Sequence, residues 1–170
     1  MSYVLRHHPE KIDISLDHYG RVNLNQMIQK FNQHYGTPIN RKIILKIMKL
    51  SSKQRFAIEG PNIRALYGHS VPGIKPLSVP KTPPQILYHG TTHRAAGLIR
   101  TEGIKKRARD MVCLSKTVEM ACQVGKRRDP HPVVFKVEAR QADHDGLTFY
   151  PTASGVWLVD YVPPKYLELN

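Results

Sequence analysis

The sequence holds 170 residues, with 26 Lys or Arg against 13 Asp or Glu and a net charge of +13. That length suits one compact domain or two small lobes, and no apolar run nears the roughly 18 residues that a membrane-spanning helix requires. The positive excess favours polyanionic partners, nucleic acid first, while two cysteines, Cys113 and Cys122, are too few for a disulfide framework and too isolated for a zinc site. The N-terminal stretch lacks the apolar core of a secretory signal. A soluble, intracellular, cytoplasmic monomer is expected.

The chain starts with a short basic helix over Tyr3 to His8, ended by Pro9. Leu24, Met27, Ile28 and Phe31 recur at helical spacing and predict a helix over Val22 to His34, capped by Asn23 or Asn25. A second amphipathic helix is expected over Asn40 to Leu50, with Ile43, Ile44, Ile47, Met48 and Leu50 on one side and Lys42, Lys46 and Lys49 on the other. Arg55 to Ile58 and Ile63 to Tyr67 read as strands joined by the turn Glu59-Gly60-Pro61-Asn62. Helices followed by a β-hairpin make a winged-helix-like lobe over residues 1–70, a frequent design for binding nucleic acid.

Residues 71–85, VPGIKPLSVPKTPPQ, contain five prolines and read as an extended, stiff connector. Beyond it the pattern changes. Ile86 to Tyr88 is a strand that runs into His89-Gly90-Thr91, and a helix over Arg94 to Glu102 is closed by Gly103. A strand over Met111 to Leu114 precedes a helix over Thr117 to Val124, for which Ser115 is a candidate cap. After the basic turn Gly125 to Pro130, Pro132 to Val137 is the clearest strand in the chain, and Phe149-Tyr150 and Val156 to Val159 are two more. Residues 86–170 therefore form an α+β lobe rich in short strands.

No GxGxxG, P-loop or HExxH motif is present, so a nucleotide would bind outside the Rossmann and P-loop schemes. No carboxylate pair suggests glycosidase chemistry. What stands out is a set of cations. Arg6-His7-His8-Pro9 closes a helix, where it either complements the macrodipole or meets a ligand. Arg64 lies in a strand, His69-Ser70 follow at the lobe edge, and Arg127-Arg128 occupy a turn. His89 ends a strand, with Gly90 beside it allowing close approach of a ligand to the backbone.

The segments LRHHPE, IRALYGHS, LYHGT, VCLS, VGKRRDPHPVVFKVEA and SGVWLVDYVP occur in this order. Together they resemble the NAD-dependent RNA 2′-phosphotransferases, over essentially the whole chain. The resemblance implies an N-terminal winged-helix-like lobe that takes RNA and a C-terminal ADP-ribosyltransferase-like mixed β lobe that takes NAD. The implied substrate is RNA with an internal 2′-phosphate, tRNA being one candidate, and no metal is required. The phosphate attacks the nicotinamide ribose, expelling nicotinamide. Attack by the ribose 2-hydroxyl then frees the RNA 2′-OH and yields ADP-ribose 1″,2″-cyclic phosphate. By motif the catalytic set falls on Arg6, His7, Arg64 and Arg127, with Arg128 the alternative because one extra residue precedes Pro132-Val133-Val134. NAD contacts fall on His89, Gly90, Thr91 and Ser115, and substrate contacts on His69, Ser70 and Arg128. Cys113, Tyr67 and Ser154 stand where the family commonly has His, Gln and Asn. The competing function is an ADP-ribosyltransferase that caps terminal phosphates of RNA or DNA, which needs the first step only. An RNA-binding module without catalysis is a third.

Overall fold

The computed structural model describes residues 1–51, 54–76 and 78–170. It divides into two compact units, Met1–Leu77 and Ser78–Asn170. Both are α+β with small antiparallel sheets, and the described residues hold six α-helices in all.

In the first unit, α1 spans Ser2–Arg6 and is followed by a 3₁₀ turn, Pro9–Ile12. The strand β1, Arg21–Asn23, leads directly into α2, Leu24–Tyr35. The Asn23 side chain accepts from the amides of Asn25 and Gln26, so Asn23 is the cap and the helix starts two residues later than its apolar spacing suggests. Val22, where the helix was expected to begin, instead pairs with Ile63 as a strand residue. Next come α3, Arg41–Leu50, and the hairpin of β2, Phe56–Glu59, and β3, Asn62–Ala65. The strand ends at Ala65, two residues before the expected Tyr67. The sheet order is β1-β3-β2.

Val4, Leu5, Ile12, Val22, Leu24, Met27, Ile44 and Ile63 form the core of this unit. Only Ile44 of α3 is buried. Ile43, Ile47 and Leu50 are exposed, so the apolar set expected on one inward face is split between core and solvent.

The second unit starts with β4, Leu87–Thr91, and α4, His93–Glu102. Thr92 caps α4 by accepting from Ala95 N–H, and Gly103 closes it at φ +78°. Two short strands follow, β5, Ile104–Lys105, and β6, Val112–Leu114. The helix α5, Val118–Gly125, is capped by Thr117, whose hydroxyl accepts from Met120 N–H at 3.2 Å. Ser115, the expected cap, instead exchanges backbone hydrogen bonds with Tyr88. The rest is β7, Val133–Val137; α6, Ala139–His144; β8, Tyr150–Pro151; β9, Trp157–Val159; β10, Tyr161–Val162; and β11, Leu167–Leu169. The sheets are β11-β7-β4, β6-β9-β8 and β10-β5. Pro151 is tolerated because β8 is an edge strand.

The proline-rich segment holds no helix or strand among its described residues, Leu77 lying outside them. Its two ends are tied down within their own units. Lys75 N–H donates to the His18 carbonyl, while Lys81 N–H donates to the Phe149 carbonyl and Pro83 O accepts from Arg140 Nε.

Gly90 sits where α5 crosses β4. A Cβ at this position would lie 1.8 Å from the Ala121 carbonyl oxygen. The missing side chain is thus required by helix-strand packing, and the space beside the glycine is filled by protein instead of being open to a ligand. Gly97, in α4, has nothing within 4 Å of the corresponding position. Gly90→Ala should therefore destabilise the protein by an amount on the order of 3 kcal/mol, while Gly97→Ala should stabilise it by roughly 0.5–1 kcal/mol through helix propensity. Denaturant unfolding of the two variants checks this; equal stabilities would contradict the packing described.

Candidate active site

In the first unit, residues far apart in the chain form one cationic cluster. Ser70 N–H donates to the Arg6 carbonyl at 2.8 Å, and Ser70 Oγ is hydrogen-bonded to His7 Nδ1 at 2.8 Å. The end of α1 and the segment after β3 are thereby locked together, although 63 positions separate His7 from Ser70. The two adjacent histidines are also told apart: His8 turns to Glu10, its Nδ1 2.9 Å from the carboxylate, and stacks on Tyr3. The Arg6 guanidinium lies over the Tyr67 ring, 4.8 Å from its centre, an attraction between cation and π-face.

Arg64 projects from β3 with its side chain only 13% exposed and paired with Glu59, Nη2 to Oε1 being 2.8 Å. His69 lies among these groups, 8% exposed. Its Nε2 is turned toward Gly20, where an added Cβ would come within 2.7 Å. That geometry makes His69 a packed residue of the cluster, shaping it from within. Burial, then the charges of Arg6, Arg64 and His7, push its pKa down to about 4. An uncharged ring is what a buried position among cations requires.

In the second unit, His89 lies in β4 opposite Phe135 of β7. Its Nδ1 is 3.2 Å from the Cys113 carbonyl. A carbonyl only accepts, so Nδ1 carries the proton and Nε2 presents a lone pair. Burial above all holds the His89 pKa below the usual range; the carbonyl contact works the other way and the Arg109 charge adds to the lowering. His89 is therefore a neutral acceptor. Arg109 is beside it, with Nη1 3.8 Å from Cys113 Sγ. Thr91 ends β4, and Ser115, 7% exposed, fixes the end of β6 against Tyr88.

Arg127 and Arg128 are both exposed on the turn after α5, so exposure does not separate them. The turn itself is pinned by Asp129. Its carboxylate accepts from the His93 and His131 amides, each at 3.0 Å, and meets His93 Nδ1 at 3.2 Å. Glu59 and Asp129 were not singled out by sequence reasoning. The signal available for Glu59 was its place two strand positions from the residue opposite Arg64, a diagonal neighbour across the hairpin. Among the described residues no three His, Cys, Asp or Glu side chains converge as a metal-ligand group. No helix among them is long and apolar enough to cross a membrane.

The His69 shift links folding to pH. The unfolded ring titrates near 6.5 and the folded one near 4, so between these values the unfolded chain binds the extra proton. The contribution, about 3 kcal/mol, is present in full above pH 6.5 and is lost as pH falls toward 4. Urea unfolding at a series of pH values should show this acid limb in the parent protein and a shallower one in His69→Gln. An unchanged limb in the variant would assign the acid sensitivity elsewhere.

Comparison with known proteins gives consistent matches. The family model for the RNA 2′-phosphotransferase, Tpt1/KptA family, matches residues 1–161. A protein of Lacticaseibacillus paracasei named "Probable RNA 2′-phosphotransferase" is 49% identical over 168 residues, which cover 99% of this chain and 89% of that protein. Proteins with the same name from Acetivibrio thermocellus and Streptomyces coelicolor are 38% and 41% identical, covering 100% and 99% of this chain and 93% and 91% of their own lengths.

Proposed function

Because the chain belongs to the RNA 2′-phosphotransferase, Tpt1/KptA family, we propose that it is an NAD-dependent transferase that removes an internal 2′-phosphate from RNA. The first unit acts as a winged-helix-like RNA lobe and the second as an ADP-ribosyltransferase-like NAD lobe. The observation that carries this reading is the joining of two distant motifs, through Ser70, His7 and Arg6, into one cationic cluster that also holds Arg64. A fixed group of cations with a hydroxyl beside it suits a phosphate monoester.

A phosphate nucleophile is already ionised and needs positioning, not deprotonation. Arg6, His7 and Arg64, with Ser70, supply that positioning in the first unit. NAD, as consumed co-substrate, supplies an electrophilic anomeric carbon and a leaving group that departs neutral. His89 fits a nucleotide ribose, because its Nε2 lone pair accepts from a hydroxyl while Nδ1–H stays anchored on the Cys113 carbonyl. It is an orienting group and not a proton shuttle. Gly90, Thr91 and Ser115 belong to this lobe's site by shaping the strand ends around His89. Arg127 or Arg128, on the turn held by Asp129, stabilises charge on the transferring phosphoryl group.

Incubation with NAD and an RNA carrying one internal 2′-phosphate should consume NAD, restore the 2′-OH and release ADP-ribose cyclic phosphate. Transfer of ADP-ribose to terminal phosphates, with the internal 2′-phosphate left intact, would overturn the reading. Arg64→Ala and whichever of Arg127→Ala or Arg128→Ala removes the functional arginine should lose a factor of roughly 100 to 1000 in the second step. ADP-ribosylated RNA should then accumulate on a gel.

His89→Asn keeps a donor near the Nδ1 position and removes the acceptor at Nε2. Its melting temperature should stay near that of the parent, and its KM for NAD should rise by the several-fold that about 1 kcal/mol represents. A large fall in melting temperature with an unchanged KM would make His89 a purely structural residue.

A further inference from the structure

We propose that Glu59 is a positioning residue for Arg64, one that lowers RNA affinity in exchange for a fixed guanidinium. The proposal rests on the reading of Arg64 as a phosphate-handling group. In the β2–β3 hairpin Ala57 is opposite Arg64 and Glu59 is opposite Asn62. Residues 57 and 59 share a face of β2, so Glu59 is the diagonal neighbour of Arg64 on that face. A single carboxylate oxygen, Oε1, receives both Nε at 2.9 Å and Nη2 at 2.8 Å. These two nitrogens make one edge of the planar guanidinium. Engaging them leaves the far edge, with Nη1, to meet an anion, and fixes the plane in which it does so.

The backbone that carries this carboxylate is anchored nearby. Glu59 ends β2, and the turn after it is tied down where the Pro61 carbonyl accepts from Leu24 N–H at 2.8 Å, at the start of α2. Neighbouring Arg21, which pairs with Arg64 in the sheet register, is also paired with a carboxylate, that of Asp17, Nε to Oδ2 being 2.7 Å. The Glu59 carboxylate stays 39% exposed whereas the Arg64 side chain is 13% exposed. Arg64 thus has one orientation imposed by its neighbour, and little freedom to take another.

A carboxylate this close to a phosphate site opposes the binding of a polyanion. For affinity alone it is unfavourable, in a chain with only 13 acidic residues. Orientation is what it offers: a guanidinium that is misplaced contributes attraction without matching the charge that develops at the reacting phosphorus. Removing Glu59 should therefore move binding and rate in opposite directions. A residue that merely supports the fold would weaken both together.

The test uses the full chain with NAD and RNA bearing one internal 2′-phosphate, measuring RNA affinity by titration and each step in single turnover. Glu59→Ala should bind the RNA several-fold more tightly and slow the second step by roughly tenfold or more. Glu59→Gln, which retains an acceptor oxygen without its charge, should also bind more tightly but keep most of the rate. The proposal is overturned if Glu59→Ala reacts at the parent rate, or if its slower reaction comes with weaker RNA binding and a lower melting temperature. Arg64→Ala separates the levels. If it is slow while Glu59→Ala is not, only the role of Glu59 fails; if Arg64→Ala itself is unimpaired, the reading of Arg64 fails and the proposal falls with it.

Discussion

Like charges crowded into one small unit repel, and the first unit is organised around the contacts that offset this repulsion. Arg6, His7 and Arg64 all act on the ring of His69. The ring stays neutral, Arg6 lies over Tyr67, Arg64 is paired with Glu59, and His7 is bonded to Ser70. Each contact removes either a charge or a degree of freedom. What is left is a group of cations held in place before any anion arrives, which is the condition under which electrostatic stabilisation costs no reorganisation. The same cluster fastens the end of α1 to the segment after β3, so it also contributes to the fold.

The second unit solves a different problem. It presents a histidine in one tautomer and keeps it uncharged, through burial and a carbonyl that fixes Nδ1–H. Close packing supports this arrangement: α5 crosses β4 at Gly90 and allows no side chain there. Thr117 caps α5 and Asp129 ties the following turn to the start of α4, so the arginine pair is carried on a short, doubly anchored loop.

Much of this was legible in the sequence, for physical reasons that differ by element. The helices α2, α4 and α5 and the strand β7 carry periodic apolar residues, caps or β-branched runs, and local signals sufficed. The strands β1, β5, β10 and β11, each only two or three residues long, carry no period to read. The helix α6, with the sequence ARQADH, lacks an apolar stripe. In α3 the pattern marked an amphipathic helix, but which apolar residues reach the core depended on tertiary packing, and only Ile44 does. For the site, motifs pointed to Arg6, His7, Arg64 and His89. The partners that hold His7, the burial of His69 against Gly20 and the pairing of Glu59 with Arg64 all depend on strand register and long-range contacts, which no local window contains.

The claim that the first unit is a preorganised phosphate site is tested most directly by the titration of His69 itself. Its imidazole signals can be followed by NMR over pH, in the free protein and with a short RNA carrying an internal 2′-phosphate. In the free protein His69 should titrate near 4. An anion bound by Arg6, His7 and Arg64 offsets the positive charges that depress this value, so the RNA should raise it, and an otherwise identical RNA without the 2′-phosphate should raise it less. A His69 titration that both RNAs leave unchanged would contradict the account.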